Sequence, residues 1–322
     1  MAFQPHSLAR RRVLLKRAIS GDTDDATRQT PAPQAPPRAV TGTVLDASPH
    51  VLVVDTGASE ERFALMDTTS AWRGKRITPA ALSPGQHVVI RRYGHTAVAD
   101  RIWADIGRIT GTILERTGIE LLVDQGHGRG RGVLILSPGS AAQILVRFPK
   151  LEPGYLIDVI GLRRGGIVAG IVPATSQPPY HSTRVPRAAL VRGHVPKVVS
   201  GTASWYEPAD EPEDAQGTAY PALDPESGCG DDAGSCDAAV SCARLPYLSI
   251  GSILMIHNDC AARFAAVQVT ACGSTASHFC DRCLTCGMSP RGRIVDLTMA
   301  SYVELGGELD KGCFNATITI GG

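Results

Sequence analysis

Hydrophobic and polar positions alternate in short runs between Val40 and Ala174, and the same runs occur twice. Thr41-Gly42-Thr43-Val44-Leu45 returns as Thr110-Gly111-Thr112-Ile113-Leu114, and Val51-Leu52-Val53-Val54-Asp55 as Glu120-Leu121-Leu122-Val123-Asp124. Leu82-Ser83-Pro84-Gly85 returns as Leu151-Glu152-Pro153-Gly154, each time leading into an alternating run, Val88-Val89-Ile90 and then Ile157-Asp158-Val159-Ile160. The spacing from Gly42 to Gly111 equals that from Gly85 to Gly154, so the segment is a duplication, and an internal repeat is a primary fold signal. A period of two with almost no helical periodicity predicts four to five short strands per unit, separated by Gly and Pro turns. In Leu-x-Pro-Gly the proline suits position i+1 and the glycine position i+2 of a type II turn.

A closed, OB-like five-stranded barrel removes the sheet edges that such short strands would otherwise expose. OB-like barrels often hold nucleic acid or sugars. Here the strands lack the interleaved cations and aromatics that single-stranded nucleic acid requires, and Trp72, Tyr93 and Trp103 are scattered. The two repeats therefore read as spacers or assembly modules.

The chain has 322 residues, 43% of them hydrophobic, and a net charge of +1. That length predicts two or three domains, and the balanced charge implies no general attraction to nucleic acid. The expected organisation is a basic, proline-rich arm over 1–39, OB-like repeats over 40–107 and 108–174, a linker over 175–200, and a cysteine-rich domain over 201–322. The acid-rich stretch from Glu207 to Asp232 has no Lys or Arg and reads as a solvated loop. No apolar run is long enough to span a membrane.

The last domain carries two short frames, Gly201-Thr202-Ala203-Ser204-Trp205-Tyr206 and Arg293-Ile294-Val295-Asp296-Leu297-Thr298. Between them lie Leu245-Pro246-Tyr247, Gly251 and the alternating run Ala266-Val267-Gln268-Val269-Thr270; after them come Leu305-Gly306 and Ala316-Thr317-Ile318-Thr319-Ile320. In that order they resemble the double-psi β-barrel of the rare-lipoprotein-A and expansin group, whose members act on cell-wall polysaccharide. The expected fold is therefore all-β: two repeated OB-like barrels followed by a C-terminal double-psi barrel.

The resemblance implies an open trough that presents Asp296 to saccharide. It also exposes a difference, because the group's strand usually runs into an aspartate where this chain has Ala271. Hydrolysis of a glycosidic bond commonly uses two carboxylates, whereas a lytic transglycosylase works with one. Asp296 is thus the catalytic candidate, or else a structural aspartate at a turn. Asp281, in an Asp-Arg-Cys run like that of expansins but displaced, is a second candidate; the alternative is a surface aspartate in a stapled loop. Tyr206, Trp205 and Arg293 are candidates for glycan contact: the rings by stacking on pyranose C–H faces, the guanidinium by holding a carboxylate or sulfate. Trp205 fits better as a core residue of its strand, and Tyr206 fits either role equally.

All nine cysteines, Cys229, Cys236, Cys242, Cys260, Cys272, Cys280, Cys283, Cys286 and Cys313, fall in this domain. A small barrel with long loops has little core, so disulfides are the preferred reading. The rival is a zinc site from His278, Cys280, Cys283 and Cys286, whose spacing is tighter than paired knuckles provide. No cofactor motif is present.

Arg10, Arg11, Arg12, Lys16 and Arg17 surround only Val13-Leu14-Leu15 near the start, too short for a signal-peptide apolar region. Disulfides and a wall substrate without an export signal point to a virion. The expectation is a wall-facing structural or binding component of a phage tail or phage-like particle, with assembly neighbours or further copies as protein partners. The alternatives are a peptidoglycan lytic transglycosylase using Asp296 and a secreted, extracellular expansin-like glycan-binding protein.

Overall fold

The computed structural model describes residues 38–126, 129–184, 197–207, 215–223, 242–283 and 290–320. The chain divides into two units, Met1–Pro36 and Pro37–Gly322, and every described residue belongs to the second. The predicted arm up to Pro37, most of the acid-rich stretch, and Cys229, Cys236 and Cys286 lie outside the described residues.

The alternating runs form strands in both repeats. The first contains β1 (Ala39–Ala47), β2 (Val51–Asp55), β3 (Glu60–Trp72), the short β4 (Arg76–Ile77), β5 (His87–Arg92) and β6 (Val98–Ala104). Pairings β1–β2, β2–β3, β3–β6, β6–β5 and β5–β1 close a ring, and only β3–β6 is parallel. The second repeat contains β7 (Ile106–Thr117), β8 (Glu120–Asp124), β9 (Arg131–Leu136), β10 (Leu156–Arg164) and β11 (Ile167–Pro173). It closes in the same order, and only β9–β11 is parallel.

The duplication extends to single hydrogen bonds. The first strand of each unit bulges at the same place, between Val44 and Asp46 and between Ile113 and Glu115. The turn glycines adopt φ of 84° at Gly85 and 86° at Gly154, as the Pro-Gly turn requires. Their N–H groups donate to Val44 O and Ile113 O. Gly42 and Gly111 pass so close to the second strand that a Cβ would overlap Asp55 O and Asp124 O respectively.

One helix departs from the all-strand expectation. α1 (Pro138–Arg147) joins β9 to β10. Ser137 caps it by accepting the Ser140 N–H at 3.3 Å, and Pro138 opens its first turn, the chemistry favoured at a helix start. It turns Ile144 inward beside Phe148, Leu134 and Val159, so it plugs one end of the second barrel.

The third barrel contains β12 (Val198–Tyr206), β13 (Thr218–Tyr220), β14 (Ile253–Asn258), β15 (Arg263–Cys272), the short α2 (Ser274–Ser277), β16 (Arg293–Thr298), α3 (Met299–Glu304) and β17 (Cys313–Ile320). Its six strands close in the order β12-β16-β13-β15-β14-β17. β12–β16 and β13–β15 are parallel, and the other pairs are antiparallel. The chain is thus all-β, with three closed barrels. β12 starts inside the predicted linker, and Ser176 of that linker bridges to Arg282.

Both repeats dock on the third barrel through equivalent strands. In β5, Val88 and Ile90 face the first barrel's own core, while Val89 faces a core shared with Trp205, Leu254 and Ile318. In β10, Ile157 and Val159 face inward, and Asp158 and Ile160 turn the other way. Period-two alternation explains why these strands are buried on both faces: each inner face fills a barrel and each outer face fills a joint. Burial of an aliphatic or aromatic side chain contributes about 1.5–3 kcal/mol, so the shared core welds the barrels.

Two disulfides staple the third barrel, Cys242–Cys280 and Cys283–Cys313, and Cys260 and Cys272 are disulfide-bonded as well. Such bonds persist in oxidising surroundings. No helix among the described residues is long and apolar enough to cross a membrane.

The overlap at Gly111 gives a clear expectation. Gly111→Ala destabilises the chain by about 1–3 kcal/mol in urea denaturation, as overpacking does. Gly139→Ala, in open space near the start of α1, is neutral or slightly stabilising.

Candidate functional site

Asp296 sits on β16, with Ser204 of the parallel β12 as its register partner. The Ser204 hydroxyl donates to Asp296 Oδ1 at 2.6 Å. Arg129, from the turn between β8 and β9 of the second barrel, donates to Asp296 Oδ2 at 2.7 Å. Its guanidinium also lies 3.8 Å from the centre of the Tyr206 ring. Asp296 has no exposed surface, and the Arg129 side chain is 8% exposed. Burial alone would raise the Asp296 pKa. Arg129, Arg293, Arg108 and the Ser204 hydroxyl outweigh it and hold the carboxyl below its ordinary value.

A second buried set lies beside this pair. Arg108 of β7 grips Asp158 with two parallel bonds of 2.7 Å, and its Nη1 donates to Trp205 O and Gly312 O in the third barrel. Arg293 of β16 donates Nη2 to Asp158 Oδ2 and to Asp281 Oδ2, each at 2.6 Å. Thr110 and Thr175 complete the cluster through Arg293 Nη1 and Asp158 Oδ2. Burial opposes the charge on Asp158, and Arg108 and Arg293 outweigh it, so its pKa also lies below the usual carboxylate value. Burial likewise opposes the Arg293 charge, and Asp281, Asp158 and Asp296 outweigh it. Arg108, Arg129 and Arg293 therefore neutralise Asp158, Asp281 and Asp296 without solvent.

This geometry corrects several expectations. Asp296 is not presented in an open trough, because the second barrel covers it through Arg129. A carboxylate held ionised by an arginine has no proton to give a glycosidic oxygen. Asp281 is wholly buried rather than on a surface loop, drawn inside by Arg293. Arg293 is itself fully buried, so its guanidinium serves internal carboxylates and not a substrate's. Trp205 is also fully buried and donates Nε1 to Leu309 O at 3.0 Å, the core placement that its strand position allowed. Neither it nor Arg293 can touch a saccharide. Tyr206 is 5% exposed, with one ring face taken by Arg129. The metal alternative fails on its sulfurs: Cys280 and Cys283 are bonded to Cys242 and Cys313. Cys286 lies outside the described residues.

The missing carboxylate is located as well. Ala271 pairs with Ala219, which in turn pairs with Asp296. Strands lie about 4.8 Å apart, so an aspartate at 271 would stand roughly 10 Å from Asp296, across one strand.

A cavity of about 490 Å³ opens beside the Arg129–Asp296 pair, lined in part by Arg129, Arg131, Arg163, Tyr206, Glu207 and Met299. Arg163 is ion-paired with Glu207 across the joint. Sequence reasoning missed Arg108, Arg129 and Asp158. For Asp158 a signal existed: a lone acid within Ile157–Ile160 has to find a cation when buried. Arg129, in a glycine-flanked turn, carried none. The sequence matches no protein-family model and no curated protein.

Removing Arg129 leaves Asp296 charged and buried, which costs about 3–5 kcal/mol. Arg129→Ala should lower the urea midpoint accordingly, and Arg129→Ala/Asp296→Ala should recover part of the loss. The pH response follows from the sign of the shifts. Asp158 and Asp296 titrate below their unfolded values near pH 4, so their contribution is complete above about pH 4 and disappears as pH falls through the folded values. Urea midpoints between pH 7 and pH 2 check this.

Proposed function

We propose that the chain is a wall-facing binding and structural component, of a phage tail or phage-like particle, that contacts peptidoglycan or another surface glycan through its C-terminal barrel without cleaving it. The observation that carries this reading is the burial of Asp296 in its ion pair with Arg129. The residue that would donate a proton is sealed, ionised and committed to holding two barrels together.

Other features support the reading. Two parallel contacts in an otherwise antiparallel six-stranded ring accord with a double-psi barrel. Five-stranded closure with parallel third and fifth strands, and in the second repeat a helix after the third, accords with OB-like modules. The core shared by all three barrels suits a part that bears load between an assembly and a wall. The disulfides fit a particle released from cells as well as a secreted protein.

Purified chain mixed with peptidoglycan sacculi is expected to sediment with them and to release no anhydro-muropeptides. Release that disappears in Asp296→Asn, while a Ser204→Ala control keeps its fold, would establish the transglycosylase instead.

A further inference from the structure

The residues first suspected of touching glycan are buried, so the contact surface lies elsewhere. A cavity of about 730 Å³ opens at the joint of the first and third barrels, lined by Tyr93 and His95 from one and Arg263, Phe264 and Glu304 from the other. That volume lies within the range of ligand sites. Two aromatic rings stand at it in the open: Tyr93 is 62% exposed and Phe264 72%.

The backbone that carries each ring is anchored by hydrogen bonds. Tyr93 N–H donates to Val98 O at 2.8 Å, and Tyr93 O accepts the Thr96 hydroxyl at 2.7 Å. Phe264 follows the turn between β14 and β15, which is anchored from inside. Buried Asn258 accepts the N–H groups of Cys260 and Ala261 and donates to Leu305 O. In the same turn Ala262, a lining residue, takes a left-handed φ of 48°, a conformation that costs a non-glycine residue energy and often marks a working surface. Glu304 ends α3 with Oε2 accepting the Arg38 N–H at 2.9 Å. Burial raises its pKa, against smaller opposing effects of His95, the Ala39 N–H and Arg263.

The surface continues beyond the cavity. His257 pairs with Phe264 and Met255 with Ala266, so the outward face of β14 carries the exposed side chains of Met255 and Ile253 away from the rings. An extended strip suits a chain-like ligand better than a small molecule. The charged lining is balanced, Arg38 and Arg263 against Asp100 and Glu304, which suits an uncharged ligand. Exposed aromatic faces complement the apolar C–H faces of pyranose rings, and the planar polar groups between them complement hydroxyl and amide groups.

We infer that this joint is a saccharide-binding groove for an uncharged stretch of glycan chain, with Tyr93 and Phe264 as stacking rings and Arg263, His95 and Glu304 as hydrogen-bonding partners. The inference rests on the wall-facing reading and gives it a location. Binding of a β-1,4-linked N-acetylglucosamine tetrasaccharide, followed by NMR titration of the full chain, and sedimentation with sacculi provide the test. Tyr93→Ala/Phe264→Ala should lose roughly tenfold or more in affinity for both probes, with an unchanged melting temperature because both rings are exposed. A double variant that binds both probes as well as the parent overturns the groove while the wall-facing reading stands. A parent chain that binds neither overturns both. Loss of self-association in place of glycan binding, measured by ultracentrifugation, makes a second copy the occupant and overturns the groove as well.

Discussion

The architecture depends on a charge cluster sealed between the second and third barrels. Asp158 is its centre: two guanidinium groups, Arg108 from its own barrel and Arg293 from the next, converge on one carboxylate. A lone buried charge is untenable, and the pairs made within each barrel, Arg108–Asp158 and Arg293–Asp281, leave Arg129 of the second and Asp296 of the third to find each other across the joint. Arg293 of the third barrel also reaches Asp158 of the second, and Arg129 of the second holds Asp296 of the third. Each barrel completes the other's electrostatics, so the joint specifies one docking geometry where an apolar joint would tolerate sliding.

The duplication makes the design visible. Val89 and Asp158 occupy the same position in the two repeats, as do Ala39 and Arg108, on the strands that face the third barrel. At these two positions one copy presents small apolar groups and the other an arginine–aspartate fork, and the first copy places its ion pairs to the third barrel, Arg91–Glu308 and Arg101–Asp310, on neighbouring positions instead. The same backbone, with matching bulges, turns and close glycine approaches, thus supports two kinds of joint. A position facing outward is free to diverge, whereas its inward-facing neighbours, Val88 and Ile90 or Ile157 and Val159, stay apolar because each barrel must fill itself.

Local pattern carried much of the fold. The repeat, the strand periodicity and the Pro-Gly turns were legible because they depend on neighbours in sequence. α1 was missed although Ser137-Pro138 announced its start, because its helical face has few apolar positions and Ile144 alone is fully buried. The site was far less legible. Asp296 was found by its frame, but its surroundings come from Arg129, a partner remote in sequence in another barrel. Tyr93, dismissed as scattered, and Phe264, never singled out, share one cavity only after the barrels dock. Contacts between domains leave little trace in a single sequence, apart from charges placed where a core should be.

The unequal joints carry a thermal consequence. The attraction of apolar surfaces fades on cooling, while the desolvation cost of buried ions falls on heating. The apolar contacts around Val89 are therefore the ones that cold loosens first, and the charge cluster at Asp158 is the part that warmth spares.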